Sequence, residues 1–278
     1  MKELEKYQTV LREVEGELDA KSLLEDVRID LSKEIQPPPP VIQIDNTDRY
    51  VTVFTEGNIS VIQGKAKARK SFAVAMLTAC AISNKPIYRK FVSVPRKLVV
   101  YFDTEQSSFY VQQAVYRIRQ MSQGDGYSQQ LYVFALRKFD PDQRLFLINW
   151  VFENFKDLGF VVIDGIRDLI KDINSPEEAT MITSKLLKWS ENTGAHILTV
   201  LHENKADGKA RGHIGSELVN KAESVLRVEK VENEKKYSRI SCEMVRGLDF
   251  EPIYFVIEDD IPQVVSNPPS EILLQFES

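Results

Sequence analysis

Between Ile59 and Leu201 the chain alternates short apolar runs with longer amphipathic stretches, and this alternation confines it to a mostly parallel sheet covered by helices. Strands are expected at 59–62, 97–102, 131–134, 160–163 and 195–201. Helices are expected at about 70–83, 107–121, 142–158 and 177–192. The run Phe160-Val161-Val162-Ile163 has no polar position, as a strand buried on both faces requires. After Gly215 the pattern changes to strands separated by turns, at 224–231, 237–245 and 253–257, which reads as an antiparallel extension at the sheet edge.

Ahead of this region, Leu4, Leu11, Val14, Leu18, Leu23, Leu24 and Val27 recur at helical spacing, so residues 1–36 read as a helical extension. It packs either on its own domain or on a neighbouring subunit. Pro37 to Pro40 fit neither a helix nor a central strand, so 37–48 reads as a stiff linker and 49–278 as the main domain. Cys80 and Cys242 stand far apart in apolar stretches and read as reduced core residues of a cytoplasmic protein. No apolar run is long enough to span a bilayer. The net charge of −5 argues against a surface built throughout to bind nucleic acid, though not against a local basic strip.

The first strand runs into Gly64-Lys65-Ala66-Lys67-Ala68-Arg69-Lys70-Ser71, and a helix follows. Strand, glycine, small and basic residues, then Lys-Ser is the Walker A arrangement, whose backbone N–H groups wrap phosphates at a helix N-terminus. Lys70 would reach the β- and γ-phosphates, Ser71 would bind Mg²⁺, and Phe72 completes the nucleotide-contacting stretch. The pattern departs from the usual one at Arg69, where glycine is expected because the turn needs positive φ. Arg69 either alters the loop or covers the nucleotide.

Asp164 closes the apolar run 160–163 and would project into the crevice at the carboxyl ends of the strands, suited to hold Mg²⁺ through water. Glu105 follows the strand after the loop helix and is suited to polarise an attacking water, with Asp103 the alternative.

With these residues in order, and with His202 after the next core strand, the chain resembles the RecA/DnaB superfamily of P-loop ATPases over about 57–257. It looks most like the RepA-like hexameric helicase ATPases of plasmids and mobile elements. The resemblance implies ATP and Mg²⁺ as cofactors, Glu105 as catalytic glutamate and His202 as the residue that senses the γ-phosphate. It also implies that Lys205, Lys209 and Arg211 belong to a loop gripping single-stranded DNA, and that Arg246 enters the neighbouring subunit's site as an arginine finger. A homo-oligomer, a hexamer above all, follows from the same resemblance. The leading expectation is therefore an Mg²⁺-dependent, oligomeric ATPase acting on DNA in replication or mobilisation. The other is a nucleotide-binding regulatory or loader module with little or no hydrolysis.

Overall fold

The computed structural model describes residues 20–93, 97–123, 130–203, 210, 212–232, 234–269 and 272. The chain divides into two compact units, residues 1–37 and 38–278. In the first, helix α1 covers Ala20–Asp26. Leu4, Leu11, Val14 and Leu18 lie outside the described residues, as do Lys205, Lys209 and Arg211.

The second unit is built on a nine-stranded sheet. Its parallel part comprises β3 (Ile59–Gly64), β5 (Leu98–Asp103), β6 (Leu131–Ala135), β7 (Leu158–Asp164), β8 (His196–His202) and β9 (Ser224–Lys230). In space the order is β6-β5-β7-β8-β3-β9, continued by β10 (Ser238–Val245), β11 (Ile253–Glu258) and β12 (Ile261–Val265). One expectation is corrected here. Strand β9 pairs parallel with β3, so the antiparallel extension starts only at β10. The reason is helix α6 (Gly212–Lys221), which carries the chain back across the sheet between β8 and β9 as a parallel crossover demands.

Helices cover both faces. On one side α2 (Lys70–Ile82) and α3 (Ser108–Met121) pack through residues such as Met76, Leu77 and Ile118. On the other lie α4 (Pro141–Asn154), α5 (Pro176–Thr193) and α6, through Ile148, Ile182, Leu186 and Leu218. Local chemistry sets their ends. Asp140 forms a capping box with Gln143 and Pro141 opens α4; Ser175 caps α5, Pro176 opens it, and Gly194 at φ 70° closes it.

A second correction concerns the expected linker at 37–48. Within it, β1 (Pro40–Asp45) forms the middle of a three-stranded antiparallel sheet with β2 (Tyr50–Thr55) and β4 (Phe91–Ser93). Proline is tolerated at the first position of a strand, and Val41, Ile42 and Ile44 then bury against the α2 face of the core. At the free edge of the large sheet, Pro262 in β12 lacks an N–H and the Tyr88 hydroxyl donates to its carbonyl. Both blunt that edge against further pairing.

His196 is a fully buried core residue. Its Nδ1 donates to the Thr55 carbonyl at 2.8 Å, its ring stacks on Phe54, and its Nε2 has no partner. The carboxylate nearest to it, Glu223, is already taken by the amide and hydroxyl of Thr55. Burial lowers the imidazole pKa from 6.5 to about 3. The unfolded chain therefore takes up this proton first, and this group's contribution to stability falls as pH drops below 6.5. At pH 5 the loss from this group is about 2 kcal/mol. Between pH 7.5 and pH 5, urea unfolding should show the wild type losing about 2 kcal/mol relative to His196→Gln; equal changes in the two proteins would refute it.

Candidate functional site

The carboxyl ends of β3, β5, β7 and β8 meet at one crevice, and the sheet register brings their terminal residues together. Gly64 pairs with His202 across β3 and β8, and Asp103 pairs with Asp164 across β5 and β7. Glycine is needed at position 64 because a Cβ there would meet the Val228 carbonyl oxygen of β9 at 2.2 Å. Beyond it the loop turns through two left-handed residues, Lys67 at φ 64° and Arg69 at φ 72°.

Lys70 opens α2 and is almost fully buried. Its ammonium donates to the Gly64 and Lys65 carbonyls at 2.9 and 3.2 Å and reaches His202 Nδ1 at 3.2 Å. Burial lowers its pKa, and the carboxylates of Asp164, Glu105 and Glu203 oppose that shift. Because an ammonium only donates, His202 Nδ1 accepts, and the ring proton belongs on Nε2. Nε2 in turn lies 3.3 Å from Glu105 Oε1. This hydrogen bond is the main cause that lowers the Glu105 pKa, so the carboxyl is ionised at neutral pH. A continuous chain thus runs from Lys70 through His202 to Glu105.

Asp103 does different work from that considered for it. It is fully buried, and its carboxylate accepts the amides of Glu105 and Gln106 at 3.0 and 2.7 Å and the Gln106 side-chain amide at 2.8 Å. It shapes the turn that presents Glu105 and is buried from solvent. Asp164 ends β7 beside it and accepts a 2.7 Å bond from the Tyr101 hydroxyl. Burial, then the charges of Asp103 and Glu105, raise the Asp164 pKa to about 7. A carboxyl so placed lacks a cation. Ser71, in the first turn of α2, and Asp164 therefore fit a divalent ion that shares the crevice with phosphates.

Sequence reasoning missed three supports. Tyr101 holds Asp164, as described. Thr104 Oγ1 lies within 3.1 Å of the Asp164 and Gly165 carbonyls and of the Asp168 carboxylate, tying the ends of β5 and β7 together. Gly165, at φ 95°, leaves no room for a Cβ, which would sit 2.1 Å from Thr104 Oγ1; the Asp164-Gly165 pair was the only signal of this approach. The third is a network one residue past His202. Arg227 Nε donates to Glu203 at 2.9 Å and its Nη2 to Glu243 at 3.1 Å, while Gln63 donates to Glu243 at 2.5 Å. Glu203 also forms an isolated β-bridge with Ala210.

Arg246 is not in this crevice. It follows Val245, which pairs with Ser224 at the amino end of β9, opposite Ser60 near the start of β3. It is exposed there, with its backbone amide on the Glu223 carbonyl, at the end of the sheet remote from its own chain's loop.

A mostly parallel α/β sheet with a Lys-Ser loop and two acidic strand ends at one crevice defines a P-loop nucleotide-binding domain of RecA-like fold. The chain belongs to the AAA domain family, whose profile matches residues 19–208. Among solved structures it is similar to the crystal structure of the RadB recombinase. That likeness has a TM-score of 0.54 over 77% of this chain and 93% of that one, at 14% identity, and speaks for the fold. No curated protein matches the chain. Among the described residues no helix is long and apolar enough to cross a membrane.

Proposed function

We propose that the chain is an Mg²⁺-dependent ATPase that acts on DNA as a homo-oligomer. The observation that supports it most is the Lys70–His202–Glu105 chain, with its ionised carboxylate at the mouth of the crevice. In this reading Gly64 to Phe72 hold ATP, and Ser71 and Asp164 hold Mg²⁺. Bound there, the ion would neutralise developing charge on the phosphates. Glu105 orients the attacking water and accepts its proton. Lys70 leaves the loop carbonyls for the phosphates, and neutral His202, bonded to both residues, registers that movement. Glu203 and its arginine pass it to residues 204–211, in which Lys205, Lys209 and Arg211 grip DNA phosphates.

The DNA part of the reading rests on those cations and on a fold shared with a recombinase. The narrower placing among RepA-like hexameric ATPases of mobile elements rests on the order of Lys70, Glu105, Asp164 and His202 along the chain. Arg246, exposed and remote from its own loop, is available to a second copy, where it would stabilise the transition state as an arginine finger. Arg69 in place of the usual glycine and the acidic net charge favour the second reading, a nucleotide-binding loader or regulatory module that hydrolyses little.

One assay separates them: ATP turnover with and without single-stranded DNA, in wild type and in Lys70→Ala. Turnover stimulated severalfold by DNA and abolished in the variant is expected. Turnover equal to the variant's under both conditions would remove the motor and leave the switch. In the same assay, Arg246→Ala mixed with wild type should lower turnover per active site; no change would remove the in-trans role.

A further inference from the structure

Arg69 occupies the one position where the phosphate loop departs from its usual sequence, and the structure shows what its side chain does. The residue keeps the left-handed backbone, φ 72° and ψ 28°, that glycine normally supplies there. A residue with a Cβ adopts that conformation only when its surroundings hold it. The holding contact is visible. One guanidinium nitrogen, Nη1, donates to the Lys236 carbonyl at 2.6 Å and lies 3.3 Å from Ser238 Oγ.

The anchor is firm. Residues 231–237 join β9 to β10, and the connection is closed by Val231 N to Tyr237 O at 3.2 Å and Tyr237 N to Glu234 O at 2.8 Å. Val231 and Ser238, at its two ends, are both fully buried. The Arg69 carbonyl, at the other end of the tether, accepts the amides of Phe72 and Ala73 and so starts helix α2. A single side chain thus links the turn in front of Lys70 to a rigid hairpin two strands away.

We propose that Arg69 is a positioning residue. Its tether to the 231–237 hairpin replaces the conformational freedom of glycine, and it couples nucleotide binding in the loop to the hairpin. This rests on the reading of the loop as a phosphate cradle. It assigns Nη1 to the hairpin and not to a covering contact on the nucleotide. It also gives the hairpin a role: whatever displaces it loosens the loop.

The test compares Arg69→Ala and Arg69→Gly in the full chain, with mant-ADP fluorescence for affinity and hydrogen exchange for the hairpin. The alanine has neither tether nor glycine's freedom and should bind about tenfold more weakly than wild type. The glycine should recover most of that loss. Mant-ADP should protect the amides of residues 234–238 in the wild type, and that protection should vanish in Arg69→Gly although the nucleotide is bound. A glycine variant as weak as the alanine or weaker would show that the guanidinium serves the nucleotide itself, and would overturn the proposal. So would hairpin exchange indifferent to nucleotide in the wild type. If Arg69→Ala fails to fold, Arg69→Lys takes its place, since it keeps the charge but not the guanidinium nitrogen that reaches the Lys236 carbonyl. A wild type that does not bind mant-ADP would instead refute the nucleotide reading, which separates the two failures.

Discussion

Glu105→Gln is expected to lower ATP turnover by about 10³-fold while mant-ATP affinity changes by less than about threefold. The change is nearly isosteric, and the amide oxygen can still accept from His202 Nε2 in place of Oε1, now at 3.3 Å. The turn that presents the residue is held by Asp103 through the backbone amides of 105 and 106, which the substitution leaves alone. What disappears is a carboxylate kept ionised by the histidine, and with it the group able to take a proton from water. Single-turnover measurements with excess enzyme isolate this step from product release. Retention of more than a tenth of wild-type turnover would eliminate Glu105 as the base. Asp103 would not replace it, since it is fully buried and engaged in the turn.

Asp164→Asn is expected to do two opposite things. It should abolish Mg²⁺-dependent turnover, because the site loses the charge that attracts the ion, and it should make the ligand-free protein more stable. The second effect follows from the sign of the shift. The folded protein holds Asp164 with its pKa raised from 3.8 to about 7, chiefly by burial and next by the Asp103 carboxylate beside it. Ionisation is thus harder in the folded than in the unfolded chain. Stability is lost progressively as pH rises through that window and is constant above it. Asparagine removes the penalty. It can still accept from Tyr101, whose hydroxyl is bonded at 2.7 Å. The gain should be on the order of 2 kcal/mol at pH 8 and should shrink toward zero near pH 4. Urea unfolding of both proteins without Mg²⁺ at the two pH values measures it. A variant less stable than wild type at pH 8 would mean that Asp164 is already compensated in the ligand-free fold.

Both predictions depend on residues whose type and order could be read before any coordinates. The apolar run 160–163 named its own terminal carboxylate, because a strand buried on both faces has one exit for a charge, its carboxyl end. A strand end likewise marked Glu105, the Walker A spacing marked the Lys-Ser loop, and His202 was marked only by the family resemblance. Secondary contacts were not legible in this way. Tyr101 looked like one more apolar residue of a strand, since nothing in a period-two pattern says that a hydroxyl will meet an aspartate on the neighbouring strand. Strand β1 hid behind four prolines, and its Val-Ile-x-Ile pattern acquires meaning only when β2 and β4 flank it. The direction of β9 was misread because alternation reports burial and not direction, and the direction is set by a ten-residue crossover helix.

Arg69 shows the division most sharply. By itself the sequence determined a strand–loop–helix with a lysine and a serine at the helix start, because those residue types at that spacing form the Walker A pattern. It also marked position 69 as a break in the pattern, and could not say whether the break changed the loop or covered the ligand. Only the tertiary structure shows where the Arg69 side chain goes. A left-handed arginine is stable when something distant holds its far end, and the Lys236 carbonyl that does so lies 167 residues along the chain. Local propensity cannot encode such a contact, since its energy depends on two segments meeting and on neither alone.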